Sequence, residues 1–110
     1  MMARPKISVT IITLNEELNI ARAIHSVRWA DDVLVVDSGS TDRTVEIAKS
    51  LGARVIYHPW PGYGKQKNFS QENCHHDWVL NIDADEVVSD ELRLEIETAL
   101  TQADSKPSPV

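Results

Sequence analysis

The stretch "DVLVVDSGSTDRTVEIAKSLG", Asp32–Gly52, changes character halfway. "DVLVVD" is short, nearly all apolar and rich in β-branched valine, which suits a strand covered on both faces. "SGSTDRTVEIAKSLG" then carries the start and stop signals of a helix. Ser40, Thr41 and Asp42 offer capping oxygens, Val45, Ala48 and Leu51 fall on one stripe, and Gly52 suits the C-terminal stop. A buried strand running straight into a helix is half of a β-α-β unit.

The alternation continues in both directions. Upstream, "ISVTIITL" (Ile7–Leu14) predicts a buried first strand, and "EELNIARAIHSV" places Leu18, Ala21, Ile24 and Val27 on one helical face. Downstream, "ARVIYH" predicts a third strand and "PWPGYG" a loop by its proline and glycine content. "KQKNFSQENCHH" reads as a weakly patterned helix and "DWVLNID" as the fourth strand. "SDELRLEIETAL" predicts a helix capped by Ser89, acidic in its first turn, with Leu92, Ile96 and Ala99 facing inward. Residues 101–110, "TQADSKPSPV", have little to bury and are expected to form a flexible tail. Right-handed crossovers between such strands build a Rossmann-like, doubly wound α/β fold, with a mainly parallel sheet in a three-layer α/β/α arrangement.

With 110 residues the chain suffices for one small domain. Its net charge of −6 argues against nucleic acid or an anionic membrane as a broad binding partner. Cys74 is the only cysteine, so no intrachain disulfide forms, and a reducing compartment fits. The N-terminus has no basic, apolar, small-residue order of a signal peptide, and its apolar run is interrupted by Ser8, Thr10 and Thr13. A cytoplasmic protein is the expectation.

In doubly wound sheets ligands bind beyond the C-terminal strand ends. The polar residues there are Thr13, Asn15 and Glu16 after the first strand, Asp37 after the second, and Asp83, Asp85 and Glu86 after the fourth. Asp83 and Asp85 could share a divalent cation through hard oxygen ligands, but an acidic turn before the Ser89 helix accounts for them equally well. Local residues favour Asp37 as a turn acceptor for the Gly39 or Ser40 amides; a contact to a nucleotide base or ribose is the other reading. "GYGKQKN" offers glycines and the cations Lys65 and Lys67 to a phosphate, yet its spacing is not that of a P-loop, and a solvated face is equally consistent. No G-x-G-x-x-G follows the first strand. In "NCHHDW" the adjacent His75 and His76 point different ways on a helix, against a shared metal. His25 and His58 read as partly buried structural residues, Trp29 and Trp78 as packing residues, and Trp60 as a candidate loop contact.

Taken in order, "VTIITLNEELNIARAIHSV", "DVLVVDSGSTDRTVEIA", "GYGKQKNFS" and "WVLNIDADE" resemble the N-terminal half of family 2 glycosyltransferases with the GT-A fold, over about residues 5–100. "WADDVLVVDSGSTDRT" and "YHPWPGYGKQKNFS" look most like bacterial enzymes of lipopolysaccharide core synthesis. The resemblance implies a nucleoside-diphosphate sugar donor, a UDP-sugar by family habit, and Mn2+ or Mg2+ as cofactor. It implies that Thr13, Asn15 and Glu16 line the nucleotide pocket, that Asp37 meets the base, and that Lys67 contacts the nucleotide or diphosphate where relatives carry arginine. Asp83 would approach the ribose and sugar, and Asp85 would bind the metal. The implied reaction is an inverting transfer to a lipopolysaccharide-core or related glycan acceptor, with an acidic general base.

Relatives keep that base and the acceptor surface in a C-terminal half, expected beyond residue 110. Residues 1–100 are thus expected to be a donor half, poor as a catalyst alone and prone to self-association through an exposed edge. Lipid-linked acceptors would bring the full enzyme to the cytoplasmic face of the inner membrane. Two rivals stand beside this reading. Toprim-type phosphoryl-transfer domains also combine a glutamate with Asp-x-Asp, as Glu16, Asp83 and Asp85 would, although "VVDSGSTDRT" has no role there. A non-catalytic nucleotide-binding module is the second.

Overall fold

The computed structural model describes residues 4–105. Strands and helices alternate strictly: β1 Ile7–Thr13, α1 Ile20–Ser26, β2 Asp32–Asp37, α2 Thr44–Ser50, β3 Arg54–Tyr57, α3 Tyr63–Glu72, β4 Trp78–Asp83 and α4 Asp90–Ser105. The four strands form one parallel sheet in the order β3-β2-β1-β4. The chain steps outward from β1 to β3, then crosses back to place β4 on the far side of β1. Right-handed crossovers therefore put α1 and α2 on one face and α3 on the other. The fold is doubly wound, as the alternation predicts.

The two faces differ in chemistry. Val9, Ile11, Val35 and Ile82 meet Ile20, Ala23 and Ile24 of α1 and Ala48 of α2 in one apolar cluster. Burying a side chain such as Ile11 contributes about 1.5–3 kcal/mol. On the α3 face the apolar Leu34 and Val36 of β2 are joined by buried polar residues. Ser8 and Thr10 are fully buried there, Thr10 donates to the Asn81 carboxamide, and Ser8 donates to Asp32 at 2.8 Å. Gln66 and Ser70 of α3 are equally buried.

Three helical details differ from expectation. The buried stripe of α1 is Ile20, Ala23 and Ile24, with Val27 just beyond. Leu18 is 91% exposed, because it sits in a turn before the helix, where the Glu16 carbonyl accepts from the Asn19 and Ile20 amides. Helix α4 is capped by Ser89, whose hydroxyl accepts from the Leu92 amide at 3.1 Å. However, Leu92 and Ala99 are exposed, and Ile96 and Leu100 make the inward contacts. This helix runs on to Ser105, and residues 106–110 of the expected tail lie outside the described residues. Finally, Tyr63 and Gly64 belong to the first turn of α3 rather than to the preceding loop, with Gly62 at the N-cap in a positive-φ conformation that glycine tolerates.

Candidate active site

Strand order reverses between β1 and β4, and a cavity of about 470 Å³ opens at their C-terminal ends. This is where a doubly wound sheet presents a ligand-sized crevice. Thr13, Leu14 and Glu16 reach it from β1, Ser38 from β2, and Asp83 and Asp85 from β4. Trp60, in the β3–α3 connection, and Tyr63, in the first turn of α3, complete the wall.

Thr13 ends β1 directly beside Asp37 at the end of β2. It is 3% exposed, and its Oγ1 is a buried side-chain oxygen without a hydrogen-bond partner. Such a group normally finds one.

Asp37 does not line the cavity. Its Oδ2 accepts from the Gly39 and Ser40 amides at 3.0 and 2.8 Å, and its Oδ1 accepts from the Ser40 hydroxyl at 2.5 Å. This is the turn-forming arrangement that the local residues favour. A carboxylate has about four acceptor positions, so one remains open.

Asn15 is likewise a clamp. Its backbone has φ 52°, its amide donates to Ser40 Oγ at 2.8 Å, and its Oδ1 accepts from the Thr41 amide at 2.8 Å. Beside it, the Glu16 amide donates to Thr44 Oγ1 at 2.8 Å and the Glu17 amide to Asp42 at 3.2 Å. These bonds lace the β1–α1 loop to the β2–α2 loop. None of the three expected caps occupies the N-cap of α2, which is Arg43 and makes no side-chain cap bond; Asp42, one residue earlier, accepts from the Thr44 amide at 2.9 Å in a local turn. Ser40 and Thr41 bond across to the Asn15 loop instead.

The acidic cluster follows β4. Glu86 turns back so that its carboxylate accepts from the Asp83 amide at 2.6 Å, which ties it to the turn. Burial, and then the negative charges of Glu86 and Asp85, push the Asp83 carboxyl above its ordinary value, and Lys67 partly opposes this. Lys67 is therefore near the carboxylates although it does not line the cavity. Among the described residues none of Asp83, Asp85 and Glu86 makes an ion pair within 4 Å. Carboxylates gathered without a cation suit a hard divalent ion such as Mn2+ or Mg2+. No group of three or more metal-ligating side chains is preformed among the described residues. Asp83 and Asp85 would thus supply only part of a coordination shell, which leaves positions for phosphate oxygens.

The remaining candidates lie elsewhere. His75 and His76 have ring centroids 6.4 Å apart at 90°, far from the crevice at the N-terminal end of β4. His58 is structural, stacked on Phe69 at 3.7 Å, whereas His25 is exposed. Leu14, Ser38 and Tyr63 also line the cavity; they lie inside the quoted stretches but are not among the site residues expected from them. No helix among the described residues is long and apolar enough to cross a membrane.

The chain is 62% identical over 93 residues to an uncharacterised glycosyltransferase of Rickettsia typhi, covering 84% of this chain and 32% of that protein. It is 40% identical over 98 residues to the lipopolysaccharide core biosynthesis glycosyltransferase LpsC of Rhizobium meliloti, covering 84% of this chain and 36% of that one. It therefore spans about a third of the length of these curated relatives. Among solved structures, glucosyl-3-phosphoglycerate synthase of Mycobacterium tuberculosis in complex with Mn2+, UDP-glucose and phosphoglyceric acid superposes with a TM-score of 0.65 at 35% identity, covering 73% of this chain and 33% of that one. Residues 8–105 match glycosyl transferase family 2, and the chain belongs to that family.

Proposed function

We propose that the chain is the donor-binding half of a metal-dependent, inverting glycosyltransferase. Its donor is a nucleoside-diphosphate sugar, specifically a UDP-sugar, and its acceptor a lipopolysaccharide-core or related glycan. The observation that carries this reading is the placement of Asp83 and Asp85, without an ion pair within 4 Å among the described residues, on the wall of the β1–β4 crevice. The Mn2+ and UDP-glucose in the mycobacterial synthase support the donor and cofactor, and the likeness to LpsC supports the acceptor class.

In this reading Asp85 holds the metal, and Asp83 faces the ribose and sugar. Bound there, a divalent cation would offset charge on the departing diphosphate as a Lewis acid. Lys67 supplies a second positive charge from α3, as a point charge rather than the planar fork of an arginine. Thr13 and Glu16 line the nucleotide pocket, Asp37 orders the Gly39–Ser40 turn beside it, and Asn15 holds the loop between β1 and α1. The chain spans about a third of the length of its curated relatives, and the role proposed for these residues is donor binding. Acceptors on lipid would place the whole enzyme at the cytoplasmic face of the inner membrane.

Calorimetric titration with UDP-glucose tests this reading. Mn2+ should tighten binding at least about tenfold, a gain of about 1.4 kcal/mol, and Asp85→Asn should abolish that gain. Unchanged enhancement in the variant would remove Asp85 as the ligand. Manganese-dependent binding of DNA in place of the nucleotide sugar would favour a phosphoryl-transfer domain instead.

A further inference from the structure

We propose that Gln66 is a positioning residue for donor binding: its buried carboxamide ties Ser38 and the Trp60 loop to α3 and so sets the cavity wall before a ligand arrives. The proposal rests on the nucleotide-sugar reading of the cavity and assigns the joint that shapes it.

Gln66 is fully buried, and both ends of its side-chain amide are engaged within the protein. Nε2 donates to the His58 carbonyl at 3.0 Å and to Ser38 Oγ at 3.3 Å, and Oε1 lies 2.6 Å from His58 Nδ1. A carbonyl only accepts, so the His58 carbonyl fixes which end of the amide is Nε2. Oε1 then accepts, and Nδ1 of the His58 ring carries the proton. Gln66 itself does not line the cavity, but the segments it joins do. Ser38 and Trp60 are in the wall, and so is Tyr63, one turn before Gln66 on the same helix.

The loop needs such a joint. Residues 58–62 run "HPWPG", and neither Pro59 nor Pro61 has an amide hydrogen to donate. Among the described residues the backbone bonds of this loop lie at its two ends. The His58 amide donates to the Asp37 carbonyl at 2.9 Å, and the Gly62 carbonyl accepts from the Gln66 amide at 3.0 Å. Between those ends Trp60 stays half exposed, its ring centroid 6.4 Å from that of Tyr63. The Gln66 carboxamide adds a third tie, to His58, and carries it across to Ser38 after β2. The Ser38 amide in turn donates to the Thr13 carbonyl at 3.1 Å. The ends of β1 and β2, the loop and α3 thus form one bonded circuit. An apolar side chain of the same size would fill the space beneath α3 and make none of these bonds. A wall fixed in advance binds with a smaller ordering cost.

Calorimetric titration of the 110-residue chain with UDP-glucose plus Mn2+, paired with hydrogen exchange, tests the role. Gln66→Met keeps the volume and removes the amide. It should weaken binding roughly 3- to 10-fold, the cost of re-ordering a freed side chain. Amide exchange at Trp60 and Gly62 should quicken while that of β1 and β2 stays parent-like. A double-mutant cycle separates positioning from packing. In a Trp60→Ala background the same substitution should change affinity by less than about twofold, because the loop has no ring left to present. His58→Phe keeps a ring against Phe69 and removes only the Nδ1 donor, and it should weaken binding at least about twofold. That variant carries the test if Gln66→Met does not fold, and its parent-like affinity would then overturn the proposal. Parent-like affinity of a folded Gln66→Met would reduce Gln66 to a packing residue and leave the nucleotide reading intact. A loss undiminished in Trp60→Ala would equally overturn the proposal. Failure of the parent chain to bind UDP-glucose with Mn2+ would remove the nucleotide reading, and this inference with it.

Discussion

At the N-terminal end of β2, Asp31 and Asp32 are enclosed by donors, while at the C-terminal end of β4, Asp83 and Asp85 are left to one another. Arg4 donates to Asp31 at 2.8 Å, and the Ile7 amide does so at 2.9 Å. Arg54 grips Asp32 through two nitrogens at 2.8 and 3.0 Å, and Ser8 and the His75 amide add further hydrogen bonds. Burial alone would raise the Asp32 carboxyl; the bonds from Arg54, Ser8 and His75 instead hold it well below the usual carboxylate range. At the other rim burial and like charges raise Asp83, with only Lys67 opposing. The chain has 17 acidic residues against 11 lysines and arginines, so its cations cannot neutralise every carboxylate. Arginines secure the end of the sheet that must hold together, and the unpaired acids stand where a ligand can bring the missing charge.

The strongest way to break this contrast is Asp32→Ala. The variant leaves Arg54 facing a buried pocket and strips partners from Ser8 and the His75 amide. Removing one member of a largely buried pair costs about 3 kcal/mol, and urea denaturation should show it as a lower midpoint at unchanged slope. A loss below about 1 kcal/mol, the level of an exposed pair, would mean that Asp32 is no more structural than the acids across the sheet.

The contrast was only half legible in the sequence. "DVLVVD" and "WVLNID" announce parallel strands because both faces of such strands are covered, and the acids at their C-terminal ends follow from the topology. What decides each acid's role is a partner distant in sequence. Asp32 reads as an ordinary strand residue until Arg54, 22 positions on, and Ser8, 24 positions back, close on it. Ser40 and Thr41 look like caps of α2, and their bonds to Asn15 arise only when two loops meet. Periodicity placed Leu92 and Ala99 on the inner stripe of α4, but it carries no information on where the neighbouring layer ends. Tyr63 sits within "GYGKQKN", but its place on the cavity wall arises only once Gln66 and His58 fix the loop beside it.

Titration sharpens the comparison, since the two rims respond to acid with opposite signs. The folded-state pKa of Asp32 lies below its unfolded value of about 3.8. Its stabilisation is therefore present above that value and is lost as pH falls below it toward the folded pKa. Asp83 has its folded pKa above 3.8, so its charge is unfavourable at neutral pH and that burden is relieved as pH falls through the folded value. Melting temperature should thus hold or rise slightly just above pH 3.8 and drop below it. Asp32→Ala should flatten the lower limb and Asp83→Asn the upper one. An Asp83→Asn profile identical to that of the parent would show that the rim carries no strain.

The smallest effect is the most informative about function. Asp83→Asn removes a charge held near Glu86 and Asp85, and the Asp83 backbone amide keeps its bond to Glu86. Because the carboxylate is exposed and screened, metal-free stability should rise by no more than about 0.5 kcal/mol. Affinity for UDP-glucose with Mn2+ should fall in the same variant. A gain in stability joined to a loss of binding is the signature of a group retained for its ligand. If thermal melts instead showed Asp83→Asn destabilised by more than about 1 kcal/mol, Asp83 would belong with Asp32 among the structural acids. The contrast between the two rims would then rest on Asp85 alone.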